Sequence, residues 1–245
     1  MGGKYKARNI RDLCTAVPKN KVLEVGAGEG GILMWLDQMK FSPEMHALEI
    51  SKTGIHQIEE RKLPSVKEAR QFDGYHIPYD TGYFDLAILF HVLEHVEHPR
   101  LLLREIKRVA RYVIIEVPCD FSFDVDKKTD LYLSYGHINV FSSGLVRFLL
   151  QSEGFEILND KLQITPFEVM KFLKCDRQGK KQNPFNHALL KLRHIIKLAI
   201  FSFGNAYWKE RLAYTYTVLV KSLDRGLKIS GECSAITEIK GSIKK

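Results

Sequence analysis

Residues 22–31 read VLEVGAGEGG, and the fold is decided by the way this stretch breaks. Val22, Leu23 and Val25 form a short run of β-favouring apolar residues, as a buried strand does. Gly26, Gly28, Gly30 and Gly31 come at once after it. They make a turn whose backbone can take positive φ and lie against a ligand with no Cβ between. Ile32, Leu33, Leu36 and Met39 then keep helical spacing, which predicts a helix over 31–40 with its free N–H groups pointing back into the loop. Strand, glycine turn and helix in that order build a nucleotide cradle at the carboxyl end of the first strand of an open α/β sheet.

The alternation continues outward. An apolar run over 45–50 is a second strand, and Ser51 is placed to cap a helix packed by Ile55, Ile58 and Leu63 and stopped by Pro64. Residues 66–72 read as a third strand, and 77–83, with Pro78 and Asp80-Thr-Gly82, as a turn. Phe84–Phe90 is apolar except for Asp85, the pattern of a strand buried on both faces. An amphipathic helix over 99–110 and a fifth strand over 112–117 come next. Residues 119–135 read as a polar, aromatic-studded loop, 142–153 as a helix capped by Ser142 or Ser143 and stopped by Gly154, and 155–164 as a sixth strand. Repeated strand–helix units predict a doubly wound parallel sheet with right-handed crossovers.

The glycines alone fit both G-x-G-x-G and the dinucleotide pattern G-x-G-x-x-G, so the acids nearby carry the choice. Glu24 precedes the first glycine by two residues, where a carboxylate can reach a cationic ligand. Glu49 ends the second strand, where an acid can take ribose hydroxyls. Asp73, next to Gly74, closes the third and can accept from an adenine amino group. Acids at three successive strand ends suit a positively charged adenosyl ligand better than a pyrophosphate.

VLEVGAGEGG, ALEIS at 47–51, FDG at 72–74 and IPYDTGYFDLAILFHVLEHVEHPRLLLREIKRVAR from 77 resemble the class I S-adenosylmethionine-dependent methyltransferases, in the branch whose fourth strand reads FDLV and is followed by HVLEH. The likeness runs over about residues 21–156. It implies a Rossmann-like, doubly wound, mostly parallel seven-stranded sheet with an antiparallel last strand. YTYTVLVK at 214–221 is the candidate for that strand, with a helical insertion before it over about 166–208. The domain would span 1–225 with a cap helix in 1–19, leaving a polar tail at 226–245. The implied cofactor is S-adenosyl-L-methionine. Its expected binding residues are Glu24, Gly26, Ala27, Gly28, Gly30, Glu49, Ile50, Asp73, Gly74, Phe90 and His91, with Tyr5 or Arg8 folding over its carboxylate.

The 245 residues carry a formal net charge of +8, which points to an acidic partner without naming one. Four widely spaced cysteines (Cys14, Cys119, Cys175, Cys233) without a C-x-x-C pair read as reduced thiols of a cytoplasmic protein. No apolar stretch is long enough for a spanning helix, and no charged leader with an apolar core opens the chain. Residues 171–203 mix basic side chains with Leu, Ile and Phe. They read as a packed helical insertion, a lid, or an interfacial helix giving peripheral membrane contact.

For the chemistry, three groups near the predicted mouth are candidate bases: His91, His137 and Glu116. Each has a plainer reading: His91 as a helix-start residue bonded to the backbone, His137 as a loop tie and Glu116 as a sheet-edge ion pair. His91-Val-Leu-Glu-His95 also matches the H-x-x-E-H inverted zinc-protease motif. That motif needs a long helix and a third downstream ligand, whereas Pro99 comes within a few residues, so no metal is expected. The expected activity is methyl transfer to an oxygen or nitrogen of a small-molecule, glycan or lipid-linked acceptor. Nucleic acid ranks behind these because Phe90-His91-Val92 stands where base-amine methyltransferases carry Asn/Asp-Pro-Pro-aromatic. The alternatives are an NAD(P)-dependent oxidoreductase, which requires a second catalytic domain, and a non-catalytic methyltransferase-like module.

Overall fold

A computed structural model describes residues 2–121, 125–164, 166–171 and 183–224. Seven strands form one sheet in the order β3-β2-β1-β4-β5-β7-β6: β1 Lys21–Val25, β2 Glu44–Glu49, β3 Val66–Gln71, β4 Phe84–Phe90, β5 Ala110–Pro118, β6 Phe155–Gln163 and β7 Thr215–Ser222. The first five strands run parallel. The last strand, β7, inserts antiparallel between β5 and β6, so the expected Rossmann-like sheet is the one observed.

Strands β1, β4 and β5 lie at the centre and are nearly continuous in apolar residues because helices cover both faces. On one face Leu102, Leu103, Ile106 and Val109 of α4 (Pro99–Val109) are fully buried. On the other, α1 (Gly2–Leu13) and α2 (Gly31–Gln38) bury Ala7, Ile10, Leu33 and Leu36. Asp85, the polar exception in β4, accepts the Asn20 and Lys21 backbone N–H groups at 2.7 and 3.1 Å. Glu153 is 3% exposed at the end of α6 (Ser143–Ser152) and is held by Arg100 and Arg104 at 2.6 and 2.8 Å.

The predicted caps are present. Ser51 Oγ accepts from Gly54 N ahead of α3 (Lys52–Glu60), and Ser142 Oγ accepts from Leu145 N ahead of α6. Elsewhere the structure corrects the sequence reading. Helix α2 stops at Gln38, two residues early, because Lys40 takes a left-handed φ of 51°. The crossover from β3 to β4, by contrast, is the expected turn, with no helix. The stretch read as a loop after β5 contains α5 (Thr129–Ser134) and a short 3-10 turn, Val125–Lys127. The insertion resolves into α7 (Phe167–Lys171), α8 (Pro184–Phe203) and α9 (Ala206–Leu212). The basic run at 172–182 and the tail at 226–245 lie outside the described residues. Among the described residues no helix is long and apolar enough to cross a membrane.

Candidate active site

The carboxyl ends of β1 to β4 open onto one cleft of about 510 Å³, lined by Gly26, Glu49, Ile50, Asp73, Gly74, His91 and His95 among others. Each strand delivers its residue at the point where the chain leaves the sheet, which is why residues far apart in sequence share one edge. Gly26, Gly28 and Gly30 all have positive φ. A Cβ on Gly26 would fall 2.6 Å from Val92 Cγ2, whereas one on Gly28 would meet nothing within 4 Å. The loop is tight where it passes Val92 and open at Gly28, as a cradle for a bound group must be.

Glu49 fixes the loop as well as lining the cleft. Its carboxylate accepts from Gly28 N at 2.7 Å and Ser51 N at 3.0 Å, which leaves further lone pairs for hydroxyl donors. Asp73 accepts from the Tyr75 and His76 backbone N–H groups, which hold its carboxyl below the usual range although it stands in solvent.

Glu24 sits elsewhere than the sequence suggests. It is 2% exposed and is not among the residues that line the cleft. Burial pushes its carboxyl up to about 8 against the pull of Lys6, and Oε2 has no hydrogen-bond partner. Ala27 and Phe90 belong to the core on the α1–α2 side. Tyr5 on α1 is half-exposed, its hydroxyl raised by burial and by the Glu116 carboxylate, while Arg8 is exposed. Sequence reasoning passed over Lys6 on the same helix. Its ammonium feels Glu116, Glu24 and Glu94, although burial lowers its pKa. A lysine at that helical position gives no signal until α1 is folded across the sheet edge.

The second wall is lined by His91, Val92, His95, Val96 and Ile138, with Glu94 and Glu116 against His91. His91 takes a left-handed φ of 58°, an uncommon conformation for a residue with a side chain. Its N–H donates to Glu116 O, and its ring is clamped between two acids, with Nε2 3.2 Å from Glu116 Oε1 and Nδ1 3.1 Å from Glu94 Oε1. Burial favours the neutral ring, but the two carboxylates outweigh it and raise the His91 pKa. Glu116 is engaged in turn by Thr217 Oγ1 at 2.6 Å and Asn9 Nδ2 at 3.4 Å. Against its burial, His91 and Thr217 keep its carboxyl low. Of the three base candidates, His91 and Glu116 thus engage one another.

His137 differs. Its Nδ1 lies 2.6 Å from Asp120 Oδ2, just past the end of β5, and Tyr132 stacks beside its ring. That pairing orients the imidazole and leaves Nε2 unengaged by Asp120. Sequence reasoning did not single out Asp120; a lone acid after a strand is too common to mark.

A family model for a methyltransferase domain matches residues 4–159. The chain belongs to that methyltransferase family. A search of curated proteins gives no match. Among solved structures, this methyltransferase domain is similar to a putative sarcosine dimethylglycine methyltransferase from Galdieria sulphuraria (TM-score 0.63, 17% identity, covering 91% of this chain and 86% of that one). It is also similar to a geranyl diphosphate C-methyltransferase from Streptomyces coelicolor A3(2), solved with Mg2+, geranyl diphosphate and S-adenosyl-L-homocysteine (0.61, 11%, 89% and 79%). A third likeness is to the [4+2]-cyclase SpnF (0.61, 14%, 89% and 80%). At such identities the likeness concerns the fold, and a cyclase among the three makes the point that one fold carries different reactions.

Proposed function

We propose that the chain is an S-adenosyl-L-methionine-dependent methyltransferase acting on an oxygen or nitrogen of a small-molecule, glycan or lipid-linked acceptor. The observation that carries this reading is the single cleft into which four strand ends deliver Gly26, Glu49, Asp73 and His91. The residues present fit an adenosyl cofactor. Gly28 leaves open space beside the loop, Glu49 offers ribose hydroxyls an acceptor, and Asp73 offers one to the adenine amino group. When bound there, the cofactor supplies an electrophilic methyl group.

The chain's own part is to hold the acceptor in line and to manage its proton. Positioning alone is worth several kcal/mol, roughly 7–11 in well-aligned intramolecular reactions. His137, oriented by Asp120, is the imidazole able to take a proton from an acceptor hydroxyl or amine at Nε2. His91, held between Glu94 and Glu116, has a carboxylate oxygen at 3.1 and 3.2 Å from its two ring nitrogens and so has neither free for an acceptor.

Helix α8 supports an amphiphilic acceptor and peripheral membrane contact from the cytoplasmic side. It exposes Phe185 at 73%, Leu192 at 53%, Ile196 at 50% and Phe203 at 92% beside exposed Lys191 and Arg193. That combination favours an anionic interface.

Calorimetry of the folded chain with S-adenosylmethionine and S-adenosylhomocysteine tests the cofactor: stoichiometric heat supports the reading, and none with either would sink it. Label from methyl-tritiated cofactor should enter the lipid or glycan fraction of a cell extract. Label confined to nucleic acid would overturn the acceptor class.

A further inference from the structure

The geometry points to a divalent transition-metal site on the second wall of the cleft, formed by Glu94, His95 and His137. One ligand atom from each lies within 4.8 Å of the others. Neither the inverted-protease motif nor a long helix makes this cluster. His91 falls outside it, Glu94 and His95 occupy a single 3-10 turn (Leu93–His95), and His137 arrives from beyond α5. The motif's own terms are grounds to dismiss a metal from sequence, and the fold assembles a different trio.

Three features distinguish this trio from a chance gathering. Glu94 is fully buried. His91 Nδ1 pairs with Oε1 at 3.1 Å, which leaves Oε2 as the oxygen with no partner. A buried carboxylate oxygen without a donor is costly unless a charge compensates it.

Second, each histidine is turned by its Nδ1 toward a fixed oxygen. His95 Nδ1 donates to Gly136 O at 2.9 Å, and His137 Nδ1 is paired with Asp120 Oδ2 at 2.6 Å. That arrangement, with carbonyl or carboxylate behind the imidazole, orients metal-binding histidines and leaves Nε2 as the ligand.

Third, the backbone locks the two segments together. Ile138 N and Asn139 N both donate to Glu94 O, and the Asn139 amide donates to Leu93 O and Val96 O. The ligands are thus placed before any ion arrives.

Two imidazoles and one carboxylate suit Zn2+, Fe2+ or Co2+ better than Mg2+, and three protein ligands leave coordination positions open. His95 lines the cofactor cleft, so an ion held by this trio would border the space an acceptor would occupy. This last step rests on the methyl-transfer reading and reassigns His137 Nε2 from base to ligand; the metal site itself does not depend on that reading.

The test uses the full chain, stripped with chelator and titrated with Co2+ and Zn2+ by calorimetry and visible absorption, without cofactor or acceptor. One equivalent should bind, with a cobalt spectrum of nitrogen and oxygen ligation, and Mg2+ should compete poorly. His95→Ala and His137→Ala should each weaken binding at least about tenfold. Asp120→Asn, which keeps all three ligands and should preserve the fold, should weaken it about 10–100-fold. His56→Ala, at an exposed site on α3, should leave it unchanged. Absence of stoichiometric binding would overturn the site, as would undiminished binding in folded His95→Ala or Asp120→Asn. Because no cofactor is present, a negative result here leaves the methyl-transfer reading intact, and failure to bind S-adenosylmethionine leaves the metal site intact.

Discussion

The two walls of the cleft are built on different principles. The wall formed by β1, β2 and β3 is made of turns, with Gly26, Gly28 and Gly74 at positive φ and Glu49 and Asp73 accepting backbone N–H groups. Its acids use part of their capacity holding the loops that shape the pocket. The other wall, lined by His91, His95 and Ile138, is joined to side chains of β5 and the segment beyond it that hold one another. Glu116 and Glu94 clamp His91, Asp120 orients His137, and Asn9 reaches Glu116 from α1. A pocket for a constant cofactor can rest on backbone geometry, because its shape does not need to change. Chemistry on an acceptor needs titratable groups, and these must be buried and paired to be held in place.

If that division is right, the largest effect belongs to the side-chain wall. His137→Ala should cut methyl transfer by about 10²–10⁴-fold while leaving calorimetric affinity for S-adenosylhomocysteine nearly unchanged. A parallel loss of affinity would mean that the two walls are not separable.

Next comes the backbone wall. Gly26→Ala forces a Cβ into a left-handed position at a cost of about 1–2 kcal/mol and against Val92. The dissociation constant for S-adenosylhomocysteine should rise about tenfold or more, 1.4 kcal/mol being one decade. An unchanged constant would show that the loop is not the cradle.

A smaller effect tests the buried charges between the walls. Glu24, at about 8 in the folded chain against an ordinary 4.5, binds its proton more tightly folded than unfolded. Its contribution to stability is therefore full below 4.5 and is lost as pH rises to about 8. His91, also raised, has the same sign. The melting temperature of the cofactor-free chain should fall between pH 5 and pH 8.5, and less so in Glu24→Gln. Equal slopes in the two proteins would contradict the assignment.

The smallest effect is expected at Arg8. Exposed on α1, its replacement by Ala should change stability and cofactor affinity by no more than about 0.5 kcal/mol. A larger loss of affinity would bring Arg8 back over the cofactor, as the resemblance implied.

The backbone wall was legible in the sequence because its signals are local. Glycines at a strand end, an acid closing the next strand and Asp73-Gly74 each specify a turn through their own φ preferences or lone pairs, and all but Glu24 of those acids reach the cleft. The burial of Glu24 was not legible because a strand-end carboxylate can be exposed or buried, and alternation along so short a strand does not say which. Helix α5 was missed because six residues carry too little periodicity to register.

Composition, periodicity and turn chemistry by themselves determined a doubly wound sheet, its central strands, its caps and the glycine cradle. These depend on residues close in sequence, where backbone sterics and the helix and strand periods act directly. Only the tertiary structure decided that β7 enters between β5 and β6, that Asn9 of α1 meets Glu116, and that Glu94, His95, Asp120 and His137 come together. Such meetings depend on the distance between segments far apart along the chain, which no local preference encodes and which packing around a common core alone brings to a few ångströms.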